Sequence, residues 1–507
     1  MRRIHKVLVA IAVLIGLAGI SALAVSSWLI AHQIYISVRY PPPDESDVIA
    51  IYDLLTGTVS GEARATSEQR DASGGADASG GIRYPWASHY GRKEKVRLLF
   101  LGVDAMSFNW LLPAVERGYV PNLAGLLRRG SFGPNHMGRV HPLISPPLWW
   151  TILTGVPPEL HGIRHFLTDP TGNATITTTL HRRYKAIWNI LSERGYRVGV
   201  FGIMSSWPAE KVNGVFVSDM IPGGHFCYTA DAEMFRSHFY PPELEPLVRR
   251  IPRPLFARRC EPLTYERGLK DMFATRARDV APGVSDILLL PFLWGFSKFG
   301  GSRMASRIVS EAFSRDLFYI TAMANTLDDY DFDAIFIYIE SLDHASHFYY
   351  GRDERMFTYY AYTDRLIGEI LKLVDADVII ACSDHGFRAA GLMEFIPSIL
   401  FDPGTAYMPI NYGNHDPTAV LIVSGDGVPH RLFEADILDV APLALAIFGI
   451  PPSREMKRTS LYSEIFGEPL PAGEPYSSAF GEREGVSDRL PRASEGVLEV
   501  LKSLGYI

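Results

Sequence analysis

The sequence predicts an α/β protein: a mainly parallel, doubly wound sheet with helices on both faces and an inserted cap. Three observations carry that prediction. From Lys93 onward, short apolar runs alternate with amphipathic helical stretches, the pattern of βαβ units whose strands are covered on both sides. Several of those runs end in an acidic residue, the place where open α/β sheets collect their ligands. Between about Met220 and Tyr330 the alternation breaks down, which marks an insertion.

The chain opens with the basic stretch Met1-Arg-Arg-Ile-His-Lys6 and continues from Val7 to Ala31 without a charged residue. As a helix, a run of that length extends roughly 37 Å, enough to cross a ~30 Å hydrocarbon core. Residues 7–31 are therefore expected to be a transmembrane anchor. The basic flank places residues 1–6 in the cytoplasm and the catalytic body outside it, in the periplasm or extracellular space. The rival reading is a signal peptide cut near Ala22-Leu-Ala24, which would leave the body secreted. Residues 32–92 read as stalk and linker. Pro41-Pro-Pro43 and the segment to about Leu55 form the stalk, and residues 58–81, rich in Gly, Ala, Ser and mixed charge, a flexible tether.

Residues 93–219 form the first part of a catalytic core. Val96 to Val103 is a buried strand ending at Asp104, and Trp110 to Arg129 is helical, interrupted near Gly118-Tyr-Val-Pro121 and closed by Gly130. Ser145-Pro-Pro-Leu-Trp-Trp-Thr-Ile-Leu-Thr-Gly155 reads as a helix with Ser145 at the N-cap, Pro146 at the first helical position and Gly155 as its stop. Tyr184 to Arg194 is a helix and Arg197 to Met204 a strand. Residues 220–330 form the inserted cap, with Pro241-Pro242, arginine pairs at 249–250 and 258–259, and an apolar run from Ile287 to Phe296 too short to span a bilayer. Residues 331–467 are the second part of the core. Asp333 to Ile339 is a strand running into Asp343, Met356 to Val374 a helix, and Asp377 to Ser383 a strand running into Asp384; Thr418 to Ser424 is a strand and Ile437 to Phe448 a helix. Residues 468–507 are a C-terminal tail with a last helix near 494–503.

With 507 residues, 47% of them hydrophobic and 21% charged, the chain has ample material for a large core. A net charge of −7 without a basic patch excludes nucleic acid as a partner. Its three cysteines make no disulfide framework; Cys227 and Cys260 could pair in an oxidising compartment, while Cys382 sits in an apolar run as a buried thiol.

The strand ends bring chemistry. A hydroxyl at a helix N-terminus faces unpaired amides that suit a phosphoryl group, but the two prolines after Ser145 remove donors, so cations must supply the rest. Asp104, Asp343 and Asp384-His385 all follow strands, and such crowding of carboxylates is costly unless cations lie between them. Asp343 and His347, four apart, project from one helical face and can grip one ion. His415, in Asn-His-Asp before the Thr418 strand, completes seven candidate ligands with Ser145: enough for two sites. Asp, His and alkoxide oxygens suit two divalent ions, zinc first and manganese second. Two such ions stabilise attacking and leaving oxygens in phosphoryl displacement and lower the pKa of a serine nucleophile.

Gly-Val-Asp104, Ser145-Pro-Pro with Leu-Thr-Gly155 and His161-Gly162, Asp343-x-x-x-His347, Ser383-Asp384-His385-Gly386 and His415 stand in order between about 96 and 465. Together they resemble the alkaline phosphatase superfamily, in its type I phosphodiesterase/nucleotide pyrophosphatase branch. The resemblance implies an alkaline-phosphatase-like doubly wound core, two zinc ions and a covalent phosphoryl-enzyme intermediate. It assigns Asp343, His347 and His415 to one metal and Asp104, Asp384 and His385 to the other, with Ser145 as the nucleophile near both. The chain departs from familiar nucleotide-cleaving members, which have Thr-Phe-Pro-Asn; here Ser145 replaces Thr and Leu148 takes the Asn position. Trp149 stands where a sulfatase needs Arg, which rejects that branch.

His161 is expected to pack the turn after the Ser145 helix. His136, Arg139, His141, Arg164 and His165 flank the nucleophile, and His344 and Asp416 lie beside ligands without joining them. Tyr349-Tyr350 and Tyr359-Tyr360 read as aromatic core. The leading expectation is an exported phosphoric ester hydrolase, a phosphodiesterase acting through phosphoryl-Ser145 on a phosphoester substrate. A phosphomonoesterase or a phosphoryl-group transferase acting on envelope lipids or glycans is the alternative, and a catalytically silent binding protein the third reading.

Overall fold

The computed structural model describes residues 27, 30–40, 42, 45–56, 93–138, 140–168, 175–219, 236–249, 251, 295–391, 413–481 and 501. In chain order the strands are β1 (Glu94–Val103), β2 (Gly130–His136), β3 (Val198–Phe201), β4 (Gly214–Val217), β5 (Phe239–Tyr240), β6 (Ala334–Ile339), β7 (Val374–Cys382), β8 (Gly386–Ala389), β9 (Gly413–Asp416), β10 (Thr418–Gly425) and β11 (Ala435–Asp436). The helices used below are α1 (30–39), α2 (Glu45–Thr56), α3 (Phe108–Glu116), α4 (Pro121–Arg128), α5 (Ser145–Thr154), α6 (Ile187–Glu193), α7 (Gly295–Thr326), α8 (Ser341–Tyr349), α9 (Asp353–Leu373) and α10 (Val440–Ile447).

The main sheet runs β11-β2-β10-β7-β1-β6-β3-β4-β5. Its centre, β7-β1-β6-β3-β4, is parallel throughout. Antiparallel partners flank it, β10 against β7 and β5 against β4. Successive side chains of a strand face opposite sides, and both sides of β1 are buried in different cores. Leu99, Leu101 and Val103 join the core under α3, α4, α7 and α9. Leu98 and Phe100 join the core under α5, α6 and α10. Helices therefore cover both faces, as expected for strands that read as continuous apolar runs.

Four segments depart from the sequence reading. Gly130 to His136, of which the sequence reading placed only Gly130, as the close of a helix, is strand β2, antiparallel to β10. Its glycines serve close approach of backbones: a Cβ on Gly133 would lie 1.8 Å from the Phe433 carbonyl oxygen. The supposed stalk holds α2, whose Val48 and Ile51 are buried in the main core and whose Tyr52 stacks on His430. Within the supposed cap, Phe239–Tyr240 extends the main sheet as its edge strand, and α7 buries Phe313, Leu317, Phe318 and Ile320 in the same core. Helix α6 starts at Ile187, after Tyr184, because residues 183–185 pair instead with residues 478–480 of the tail: Lys185 N–H bonds the Ser478 carbonyl at 2.7 Å and Phe480 N–H the Arg183 carbonyl at 2.9 Å. The anchor up to residue 26, the tether at 58–81, the apolar run from Ile287 up to Trp294, Cys227, Cys260 and the helix near 494–503 lie outside the described residues, except Leu501. Among the described residues no helix is long and apolar enough to cross a membrane.

One long-range cap ties the core together. The Asp364 carboxylate on α9 accepts from the first free amides of α4, Asn122 N at 3.2 Å and Leu123 N at 2.7 Å, and from Asn122 Nδ2 at 2.8 Å. Helix α4 has no side-chain cap of its own, so Asp364 performs that role from a distant helix. Asp364→Ala is expected to cost about 1–3 kcal/mol, the range for a lost cap that leaves buried donors unpaired; urea unfolding midpoints measure it.

Candidate active site and metal centre

The parallel register brings the ends of three strands to one edge. Asp104 follows β1, α8 with Asp343 and His347 follows β6, and Asp384-His385 follows β7. The chain turns sharply after Asp104, where Ala105 adopts the left-handed φ of 61°, a conformation concentrated at functional sites. His415 arrives by a separate device, the ribbon of β8 and β9, which pairs Phe387 with His415 and Gly386 with Asp416. That pairing lays the His415 ring over His385, with centroids 3.6 Å apart. Neither ribbon strand was legible in the sequence.

Ser145 is the first residue of α5 and Ile144 holds the N-cap position, one residue earlier than expected. Its Oγ therefore caps no amide and stands 3.4 Å from His385 Nε2. Gly155 ends the helix at φ 67° as expected.

All seven candidate ligands are buried, and polar atoms of five of them form two groups that share Asp343: Asp343, His347 and His415, and Asp104, Asp343 and His385. Asp343 Oδ1 is 3.6 Å from His347 Nε2, 3.4 Å from His415 Nε2 and 3.8 Å from His385 Nε2. His385 Nε2 lies 3.3 Å from Asp104 Oδ1 and 3.5 Å from Asp384 Oδ2. Ligands at 2.0–2.1 Å from one tetrahedral ion stand roughly 3.3–3.4 Å apart, close to these separations. Asp384 falls beside the second group, whereas Asp343 bridges both, a difference from the partition that the resemblance implies.

The imidazoles face inward with their lone pairs. His385 Nδ1 pairs with the Gly386 carbonyl at 3.0 Å, and His415 Nδ1 with the Leu143 carbonyl. A carbonyl only accepts, so each Nδ1 carries the proton and each Nε2 is an acceptor. Burial, reinforced for His385 by its histidine neighbours, pushes His385 well below the usual imidazole range and His347 down to about 3. These acceptors meet carboxylates. Oδ1 of Asp104 and both oxygens of Asp384 have no hydrogen-bond donor in place among the described residues. Burial, with Asp343 alongside, raises Asp104 to about 7, and burial with Asp104 raises Asp384 well above the carboxylate range. Acceptors facing acceptors in a dry site call for cations between them, and lone pairs fixed by backbone carbonyls are the arrangement of metal-ligating histidines.

Sequence reasoning missed the groups that orient Asp104. Trp149 Nε1 donates to Asp104 Oδ2 at 3.2 Å, and the Tyr338 hydroxyl donates to the same oxygen. With Oδ2 engaged twice, Oδ1 is the oxygen directed at His385. Gly102 makes room for this, since a Cβ there would lie 3.0 Å from the Trp149 ring. The signal was the pairing of Gly102 with an aromatic one turn into α5, which no local pattern reveals. Tyr338→Phe is expected to weaken metal binding about 10–100-fold with the fold intact, measured by chelator competition.

The remaining candidates take structural places. His161 is buried, its Nε2 3.1 Å from Thr151 Oγ1 and its Nδ1 accepting from Ile163 N–H at 3.1 Å; burial, then Arg182, lowers it to about 3. His344 turns back to the Glu340 carbonyl, and Asp416 Oδ1 accepts from Thr418 N–H at 2.9 Å. His136, His141 and Arg164 are exposed, His165 Nδ1 accepts from Leu167 N–H at 3.3 Å, and Arg139 lies outside the described residues. Leu148 is buried in the core beneath α5. Tyr349, Tyr350, Tyr359 and Tyr360 are core, and Cys382 is a buried free thiol.

Residues 98–399, more than half of the chain, match the sequence profile of the family described as type I phosphodiesterase / nucleotide pyrophosphatase. The chain belongs to that family. It is thereby a member of the alkaline phosphatase superfamily. No curated protein matches it by sequence. Among solved structures it is similar to phosphonoacetate hydrolase from Sinorhizobium meliloti 1021 in complex with phosphonoformate, at 18% identity over 61% of this chain and a TM-score of 0.33. That match spans 59% of the hydrolase's length. A murine ectonucleotide pyrophosphatase/phosphodiesterase 5 is similar at 12% identity over 73% of this chain and 99% of its own, with a TM-score of 0.42.

Proposed function

We propose that this family member is an exported, membrane-anchored phosphodiesterase that uses two divalent ions, zinc in preference to manganese, and passes through a phosphoryl-Ser145 intermediate. Asp343, His347 and His415 hold one ion. Asp104, Asp384 and His385 hold the other, and the Asp343 carboxylate stands close enough to serve both. When bound, the ions neutralise the non-bridging oxygens of the phosphoryl group and make the serine hydroxyl acidic. Ser145 Oγ gives up its proton and bonds to phosphorus as the ester oxygen leaves in line and takes up a proton as the free alcohol; the oxygen of a water then bonds to phosphorus, the Oγ–P bond breaks, and a proton from that water restores the hydroxyl. Burial of the site excludes bulk water from the ligands and keeps His347 and His385 neutral, the form that binds metal.

The observation that carries the reading is the convergence of imidazole Nε2 atoms and carboxylate oxygens, acceptors all, within 4.8 Å of one another in each group, with Ser145 Oγ 3.4 Å from His385 Nε2. The test is hydrolysis by the purified full chain of bis-p-nitrophenyl phosphate, p-nitrophenyl phenylphosphonate and p-nitrophenyl phosphate, with zinc, manganese or magnesium added after chelation. Preference for the diesters, restored best by zinc, is expected. A preference for the monoester would replace phosphodiesterase by phosphatase, and no hydrolysis with any of the three ions would end the enzyme reading.

A further inference from the structure

Among the described residues, large exposed apolar side chains are few and more than half of them gather in one place. Among the described residues seven are exposed, and four of them lie on the first two helices: Ile34, Tyr35 and Val38 on α1 and Ile49 on α2. Val38 is 78% exposed and Tyr35 58%, so the outer face of α1 stands clear of the body. The inner face is locked to it. Gln33 Nε2 donates to the Ala390 carbonyl at 2.7 Å. Ile36 is fully buried against Gly351, where even a Cβ would meet its Cγ1 at 2.7 Å. Tyr40 stacks on Trp110 with centroids 4.8 Å apart.

From these observations we infer that the outer face of α1 lies in the headgroup layer of a lipid bilayer and clamps the catalytic body to the membrane at a fixed attitude. The inference rests on the membrane-anchored reading above. It commits to lipid because of what precedes the helix: the uncharged apolar run ends at Ala31, where α1 is beginning. At 1.5 Å per residue, Ile34 stands about 5 Å and Val38 about 10 Å beyond that run along the helix. The headgroup region adds roughly 5–7 Å on each side of the hydrocarbon core, so Ile34 and Tyr35 fall within it, and a tilt of the helix from the bilayer normal, usual for spanning helices, brings Val38 to its rim. Tyr35 and the neighbouring Arg39 are residue types that settle at that depth. The contacts of the inner face have a consequence for the site. Ala390 follows β8, which begins next to His385, and Gly351 follows α8, which carries Asp343 and His347. Helix α1 thus touches both segments that lead out of the metal centre.

The test uses the full chain in lipid nanodiscs, with Cys227 and Cys260 replaced by Ser and Val38→Cys labelled with the polarity-sensitive fluorophore NBD. An equivalent label at Leu160→Cys serves as reference, since Leu160 is exposed on the helical turn Pro158–His161 that follows α5, on the other face of the sheet. The label at 38 is expected to emit blue-shifted relative to 160 and to lose most of its emission when headgroup-region nitroxide lipids are included, with no loss at 160. A disc-bound chain whose label at 38 reports water overturns the clamp while leaving the anchor. A blue shift without quenching by nitroxide lipid, in a chain that migrates as a dimer, overturns it by assigning the face to a second copy. A chain that leaves the discs with its N-terminus cut removes the anchor itself, and the clamp with it.

Discussion

Turnover of a phosphodiester by Ser145→Ala is expected to fall by roughly 10⁴–10⁶-fold, the loss seen when a covalent nucleophile is removed, while bound metal stays at the wild-type level. Ser145 is buried and its Oγ bonds no amide of its own helix, so the substitution removes a hydroxyl and little else. Helix α5 keeps both prolines in its first turn and Gly155 at its end, and its fold is expected to survive. Metal analysis alongside single-turnover kinetics separates the outcomes. Lost turnover with full metal supports the nucleophile, lost turnover with lost metal makes Ser145 a structural ligand, and retained turnover removes it from the mechanism.

The second large effect belongs to Asp343. Asp343 is the residue common to both groups, and its Oδ1 lies between 3.4 and 3.8 Å from three imidazoles. Asp343→Asn is expected to weaken both metal positions, by at least about 100-fold in affinity. His415→Ala touches one group and should empty one position. Metal content after gel filtration at limiting zinc checks this contrast; an Asp343→Asn protein that loses a single ion would return the residue to one site. The same logic predicts a stability inversion. Without metal, Asp104, Asp343 and Asp384 crowd a dry space with few donors, and like charges there are destabilising. Chelation should therefore lower the melting temperature of the wild type. Chelated Asp384→Asn should melt above chelated wild type, which thermal scans with and without chelator reveal.

The candidate ligands stood out in the sequence because most of them follow apolar runs or share one helical turn. Apolar runs such as Val96 to Val103 and Asp333 to Ile339 announce parallel strands, whose ends share one edge of the sheet. The four-residue step from Asp343 to His347 was likewise legible, since α8 puts both on one face. What the sequence concealed has a common cause. Strand β2 carries two glycines and a proline, none of them a strand signal, and only the tertiary neighbours show why: at Gly133 the backbone of Phe433 leaves no room for a side chain. The long-range cap of α4 by Asp364 and the donors Trp149 and Tyr338 on Asp104 join residues far apart in the chain. The stalk reading failed for the same reason, because prolines at 41–43 describe local stiffness and say nothing of α2 burying Ile51.

By itself the sequence singled out the groups that could carry chemistry: acids and histidines after apolar runs or on one helical turn, a hydroxyl near a helix start, and a core apolar enough to bury them. Periodicity and residue type are local, and these features are local too. The tertiary structure alone decided how those groups share the site. The β8–β9 ribbon stacks His415 on His385, Asp343 stands between both groups, and Tyr338 with Trp149 turns Asp104 toward the centre. Such choices depend on which backbones lie side to side at a few ångströms, and that is settled by packing rather than by any one stretch of chain.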